Sequence, residues 1–178
     1  MKQNTDNIIL IGMSGAGKST LGVLLAKALG KHFCDTDIII QQKTGRLLQQ
    51  IIDTDGVERF LQIEEDTVAS LELHDSVIAT GGSVVYSQKA MQTLKQRATV
   101  VYLAVDFEEL AKRLTNITTR GIVFKGKNDL RSVFEERLPL YEQYADITVR
   151  CTGADIEASV EKLMEVLVSG KGHADGTH

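Results

Sequence analysis

Residues 12–19 read Gly-Met-Ser-Gly-Ala-Gly-Lys-Ser and satisfy every fixed position of the pattern G-x-x-x-x-G-K-[ST]. No other stretch limits so tightly what the chain can become. The pattern works only between a strand and a helix, and the flanks comply. Asn7–Ile11 is a short apolar run without periodicity, as expected of a buried strand. Thr20–Leu29 carries a helical pattern, with Gly30 as its stop. Gly12, Gly15 and Gly17 let the backbone turn tightly and aim its N–H groups at phosphate oxygens, and the helix that follows adds its positive end. Lys18 offers a point charge to the β- and γ-phosphates of a nucleotide such as ATP, and the Ser19 hydroxyl is placed to ligate Mg²⁺. Ala16 and Thr20 complete the stretch expected to touch the nucleotide.

The rest of the chain repeats the same alternation. Strands are expected at 32–34, 77–80, 99–104 and 147–150. Helical patterns fill 38–72, broken at Gly45 and Gly56, and then 87–97, 106–114, 129–144, interrupted by Pro139, and 154–168. Residues 116–128 have no period and read as a loop. Short buried strands alternating with helices predict a parallel sheet of five strands covered on both faces. Ligands of such sheets bind beyond the carboxyl ends of the strands. The length of 178 residues suits one domain, taken as 1–169, with a small, polar, disordered tail at 170–178.

The bulk composition mainly excludes. A net charge of −4 argues against a nonspecific nucleic-acid binder. No stretch approaches the roughly 20 apolar residues of a membrane span, and the run at Ile8–Ile11 is too short for a signal core. A cytoplasmic protein is therefore expected. Cys34 and Cys151 adjoin apolar strand-like sequence and read as buried free thiols. No Cys/His group has the spacing of a metal site.

Three further groups carry possible chemistry. Asp35 and Asp37 flank Thr36 at the end of the second strand and point to similar sides if that strand persists. Such a pair could supply a hard oxygen ligand for a metal and a carboxylate to take a hydroxyl proton. It could equally be a helix N-cap. Gly81-Gly82 ends the third strand, where glycine allows close backbone approach by a ligand or simply makes a tight turn. Arg113, Arg120 and Arg137 lie in or beside the 116–128 region, and arginine clamps anions and transferring phosphoryl groups.

In order and spacing these pieces resemble the shikimate kinase family over residues 7–168. The phosphate loop and Asp35-Thr36-Asp37 fit. So do Thr44-Gly45-Arg46, Thr54-Asp55-Gly56, Phe60 and Ile63-Glu64-Glu65, then Arg137-Leu138-Pro139-Leu140-Tyr141 against an R-x-P-L-Y signature, with Ala145-Asp146 following. A monomer is expected, and the resemblance implies a three-layer α/β/α P-loop NTPase fold and a kinase that uses Mg-ATP to phosphorylate a hydroxyl of a small, anionic acceptor. It implies that Asp35 helps hold Mg²⁺ through water and that Asp37 binds the acceptor hydroxyl and acts as base. Arg120 would come from a mobile lid at 116–128, Arg113 would pack against adenine, and Arg137, with Gly81 and Gly82, would bind the acceptor.

Three positions depart from the family pattern. Leu61 stands where the family's F-R-x-x-E motif has arginine, and Arg59 lies on a different face of the helix. Ser83 replaces the last glycine of a triple glycine, and the lid reads Arg120-Gly121-Ile122-Val123 without its proline. A charge-assisted hydrogen bond is worth about 1.5–3 kcal/mol, so losing the arginine corresponds to roughly ten- to a hundredfold in affinity. Glu64, one helical turn on, is expected to lack its partner. A shikimate kinase that tolerates Leu61 and a relative with a different acceptor both fit. A nucleotide-binding module without catalysis fits less well, because Asp37, Arg120 and Arg137 are all present.

Overall fold

The computed structural model describes residues 6–72, 74–115, 129–151 and 156–171. Its five strands are β1 (Ile8–Ile11), β2 (His32–Asp35), β3 (Ser76–Ala79), β4 (Thr99–Ala104) and β5 (Ile147–Arg150). Helix α1 (Lys18–Leu29) joins β1 to β2. Helices α2 (Thr36–Thr44), α3 (Leu48–Asp55) and α4 (Val57–Ala69) precede β3. A single 3-10 turn at Val84–Tyr86 and α5 (Gln88–Arg97) lead to β4, followed by α6 (Phe107–Thr115), α7 (Leu130–Tyr144) and, after β5, α8 (Ile156–Lys171).

All pairings are parallel, and the strands lie in the order β2-β3-β1-β4-β5. Every residue of β1 and β3 is buried, which accounts for their continuous apolar runs. Side chains of a strand alternate between faces. Leu10 points at α1, beneath Gly22. Tyr102, the register partner of Ile11, lies on the opposite face and stacks on Tyr141 of α7 with ring centroids 5.1 Å apart. The sheet is thus a middle layer between helices, as the sequence predicts.

The chain leaves β1 toward β2 on one side and leaves β3 toward β4 on the other. The crossing direction therefore reverses between the neighbouring carboxyl ends of β1 and β3, the place where open α/β sheets form their ligand crevice. The phosphate-loop sequence follows β1 and Gly81-Gly82 follows β3, so both open into it. Thr80 fastens the two ends together, its N–H and hydroxyl both donating to the Leu10 carbonyl, the hydroxyl at 2.9 Å.

Several boundaries differ from the sequence expectation. Helix α1 begins at Lys18, not Thr20, because left-handed Gly17 serves as its N-cap. Strand β2 does not persist through Asp37. It ends at Asp35, and Thr36 already belongs to α2. Pro139 does not interrupt α7, which runs from Leu130 to Tyr144 with Arg137 and Tyr141 buried on either side of it. Helix α8 reaches Lys171, so Gly170 continues the helix rather than opening the tail. The expected lid at 116–128, and residues 172–178 of the expected tail, lie outside the described residues.

Candidate active site

A cavity of about 620 Å³ opens at the carboxyl ends of β1, β2 and β3. Ser14, Gly15, Gly17, Lys18 and Ser19 form one wall, Asp35 and Asp37 the next, and Thr80 and Gly82 the third. Gln41, Gln49 and the apolar Ile38, Leu47 and Leu48 close the mouth.

The loop after β1 is shaped by Gly12. Its φ of 145° lies where only glycine sits easily, and a Cβ there would stand 2.8 Å from the Leu103 carbonyl oxygen. Lys18, 7% exposed, folds back along the loop and donates to the carbonyls of Gly12 at 2.7 Å and Met13 at 2.8 Å. These contacts hold the ammonium at the cavity wall. Arg113 of α6 donates to the Gly15 carbonyl at 3.2 Å and pairs with Glu109 at 3.0 Å, which puts it over the loop from outside. Ala16 is buried, while Ser19 and Thr20 are exposed at the start of α1.

Asp35 is the helix N-cap that the sequence left open, and it also faces the cavity. Its side chain caps α2, accepting from the Asp37 N–H at 2.9 Å, and its other oxygen accepts from the Ser19 hydroxyl at 2.5 Å. Two hard oxygen donors thus lie side by side at the cavity wall, a donor set that fits Mg²⁺. Asp37 reaches the same cavity from the first turn of α2, not from a strand.

The third wall is thin. Gly81 donates its N–H to the Thr36 hydroxyl, and a Cβ on Gly81 would lie 2.2 Å from Glu64 Oε1 and 2.9 Å from Asp37 Oδ1. A side chain there would have to displace both carboxyl oxygens. Behind Gly82 stands Arg137, only 1% exposed, its Nη1 3.1 Å from where a Cβ on Gly82 would be. Arg137 donates from Nε to the Tyr86 hydroxyl at 3.2 Å and lies over that ring, while Tyr141 donates to the Gly82 carbonyl at 2.6 Å. Burial pushes both tyrosine hydroxyls up, so they remain protonated.

The structure thus brings together Gly12, Gly15, Ala16, Gly17, Lys18, Ser19, Asp35, Asp37, Gly81, Gly82, Arg113 and Arg137, whereas Arg120 lies outside the described residues. The family profile described as shikimate kinase matches residues 14–168. The chain belongs to the shikimate kinase family. A shikimate kinase of Francisella tularensis subspecies novicida is 38% identical over 170 residues, covering 92% of this chain and 96% of its own. That of Francisella philomiragia is also 38% identical, over 168 residues, with the same coverage. Among solved structures, a shikimate kinase from Acinetobacter baumannii in complex with shikimate is 31% identical and superposes with a TM-score of 0.87, covering 94% of this chain and 96% of that one. The enzyme of Aquifex aeolicus superposes at 0.74 with 30% identity, covering 96% and 99%. The chain is therefore an ATP-using phosphotransferase that acts on a hydroxyl group of a small molecule.

One expectation about this shikimate kinase family site is corrected. Glu64 does not lack a partner, because Ser83, 4% exposed, donates its hydroxyl to Glu64 Oε2 at 2.8 Å. Glu64 is 2% exposed, and burial, reinforced by the charge of Asp37, pushes its carboxyl up to about 8. Glu64 is absent from the sequence-derived site, although a signal existed. It occupies the buried stripe Phe60, Glu64, Thr67, Val68 of α4, and a carboxylate on an apolar stripe needs a reason. Leu61 joins the small apolar cluster of Ile40, Ile51 and Phe60, and Arg59 is exposed near Asp55.

Proposed function

We propose that this enzyme transfers the γ-phosphoryl group of ATP to shikimate, giving shikimate 3-phosphate and ADP. The reading rests above all on one cavity that gathers Lys18 and Ser19 from beyond the end of β1 and Asp35 and Asp37 from the end of β2. The acceptor hydroxyl is held by Asp37. Its oxygen forms the new bond to the γ-phosphorus as the bond to the β–γ bridging oxygen breaks, and the proton passes to the Asp37 carboxylate. Lys18 and the loop N–H groups carry the phosphate charge, and Arg113 flanks the nucleotide. Ser19 and Asp35 are the residues that would hold Mg²⁺, which when bound neutralises phosphate charge. Arg137, through the thin wall at Gly82, holds the acceptor carboxylate. Arg120, which lies outside the described residues, meets the transferring group. The same reading has residues 1–169 working as one kinase domain, in the cytoplasm and as a monomer; no described helix is long and apolar enough to cross a membrane.

A second reading, in which the acceptor is another small hydroxylated anion, is favoured by Ile38, Leu47 and Leu48 at the cavity mouth and by Leu61 turned into the apolar cluster. The test is ADP release with Mg-ATP and saturating shikimate, beside a control without acceptor and a Lys18→Ala variant. Shikimate-dependent release that Lys18→Ala abolishes supports the first reading. Release no greater than the control rejects shikimate, and other hydroxy acids then enter the same assay.

A further inference from the structure

Glu64 is buried in a way that its own helix does not explain. Among the described residues, its side chain makes one hydrogen bond, to Ser83, and Oε1 has no partner. Ser83 lies 19 positions away, just after the two glycines of the thin wall, and its backbone leads directly into the 3-10 turn. The bond therefore ties α4 to the segment that carries Gly81 and Gly82. Oε1 is directed at Gly81, where it and Asp37 Oδ1 leave no space for a side chain. Charges face this carboxyl from three elements, Asp37 on α2, Lys18 on α1 and Arg137 on α7. Two of the three are cations. Without Ser83, no hydrogen bond among the described residues would fix which way this carboxyl turns.

We propose that Ser83 is a positioning residue for the acceptor, acting through Glu64 to hold Gly81 and Asp37 in place. The inference deepens the proposed function and rests on Asp37 and the wall at Gly81 meeting the acceptor. Ser83 is buried and does not line the cavity. By fixing Oε2 it keeps Oε1 beneath Gly81, so that the backbone and the Asp37 carboxyl present one arrangement to the incoming hydroxyl. Leu61, one turn before Glu64 on α4, offers no donor for this job, and Ser83 supplies it from across the fold.

The test compares wild type, Ser83→Ala, Glu64→Ala and the double variant by steady-state kinetics with shikimate and ATP varied in turn, with thermal melts to establish folding. Losing a hydrogen bond to a buried carboxyl is expected to raise the shikimate KM of Ser83→Ala about tenfold and leave the ATP KM unchanged. In the Glu64→Ala background, Ser83→Ala should add nothing. An unchanged shikimate KM, an equal rise in both KM values, or an undiminished effect in the Glu64→Ala background would overturn the proposal. If wild type shows no shikimate turnover, the functional reading fails by itself. The Ser83 claim is then decided by titrating the Glu64 carboxyl carbon in ¹³C-labelled protein. The Ser83 hydrogen bond favours the ionised form, so its loss should move the midpoint up. An unmoved midpoint would overturn Ser83's hold on Glu64.

Discussion

Replacing Glu64 with glutamine removes a carboxyl whose burial makes the native state oppose ionisation, and the consequence is a stability that changes with pH in a defined direction. In the unfolded chain Glu64 loses its proton near 4.5, whereas in the fold it holds it to about 8. Between those values the native state binds the extra proton, so wild-type stability falls as pH rises. Below 4.5 both states are protonated and nothing is lost; above about 8 the loss is complete. Each pH unit in the interval costs about 1.4 kcal/mol, which accumulates to about 5 kcal/mol. That is comparable to the whole net stability of a small domain. The glutamine amide has nearly the same shape, can still accept from Ser83, and does not titrate. Urea denaturation of wild type and Glu64→Gln from pH 5 to 9 should show the two unfolding free energies diverging, with the variant gaining steadily. A gap that widens by less than about 2 kcal/mol over that range would refute the reasoning and return Glu64 to an ordinary carboxylate.

Two other substitutions test separate parts of the site. Gly12→Ala must place a methyl group 2.8 Å from the Leu103 carbonyl at a φ of 145°. We expect it to lower stability by about 2 kcal/mol or more and to abolish ATP-analogue binding, checked by melting and by calorimetric titration. Leu61→Arg withdraws a half-buried side chain from the Ile51–Phe60 cluster, at a cost of about 1 kcal/mol. With Ser83 already engaging Glu64, the new cation should lower the shikimate KM by less than about tenfold. A larger gain in the kinetic assay would show that the missing arginine is the main defect of the acceptor side.

How far the sequence discloses this molecule depends on the distance over which each feature is encoded. The strands and the phosphate loop are local. Ile8–Ile11 is apolar throughout and Val100–Leu103 is buried throughout because both faces of a parallel sheet are covered, and the loop chemistry is contained in eight consecutive residues. Asp35 is intermediate. Its cap on α2 is a local event, but its bond to Ser19 joins residues brought together by the β1-α1-β2 crossover. Pro139 misleads because propensity sees the missing N–H and not the anchoring of Arg137 and Tyr141 against Tyr86 and Gly82. The Glu64–Ser83 bond is invisible locally, since neither residue signals the other across the intervening strand.

That bond changes how the two departures on the acceptor side should be understood. Considered separately, Leu61 removes a cation and Ser83 adds a side chain where glycine is expected, and each looks harmful. In the fold they act on the same carboxyl. An arginine beside Glu64 would favour its ionised form. With leucine there, burial and the charge of Asp37 prevail, and Glu64 stays protonated at neutral pH, satisfied by a hydroxyl instead of a cation. A proton on Glu64 removes one negative charge from the neighbourhood of Arg137. The guanidinium behind Gly82 then pulls more strongly on an anionic acceptor, which offsets part of what the missing arginine would have contributed. Under the proposed function, the acceptor side holds Glu64 by a neutral hydrogen bond instead of an ion pair and retains part of its attraction for an acid.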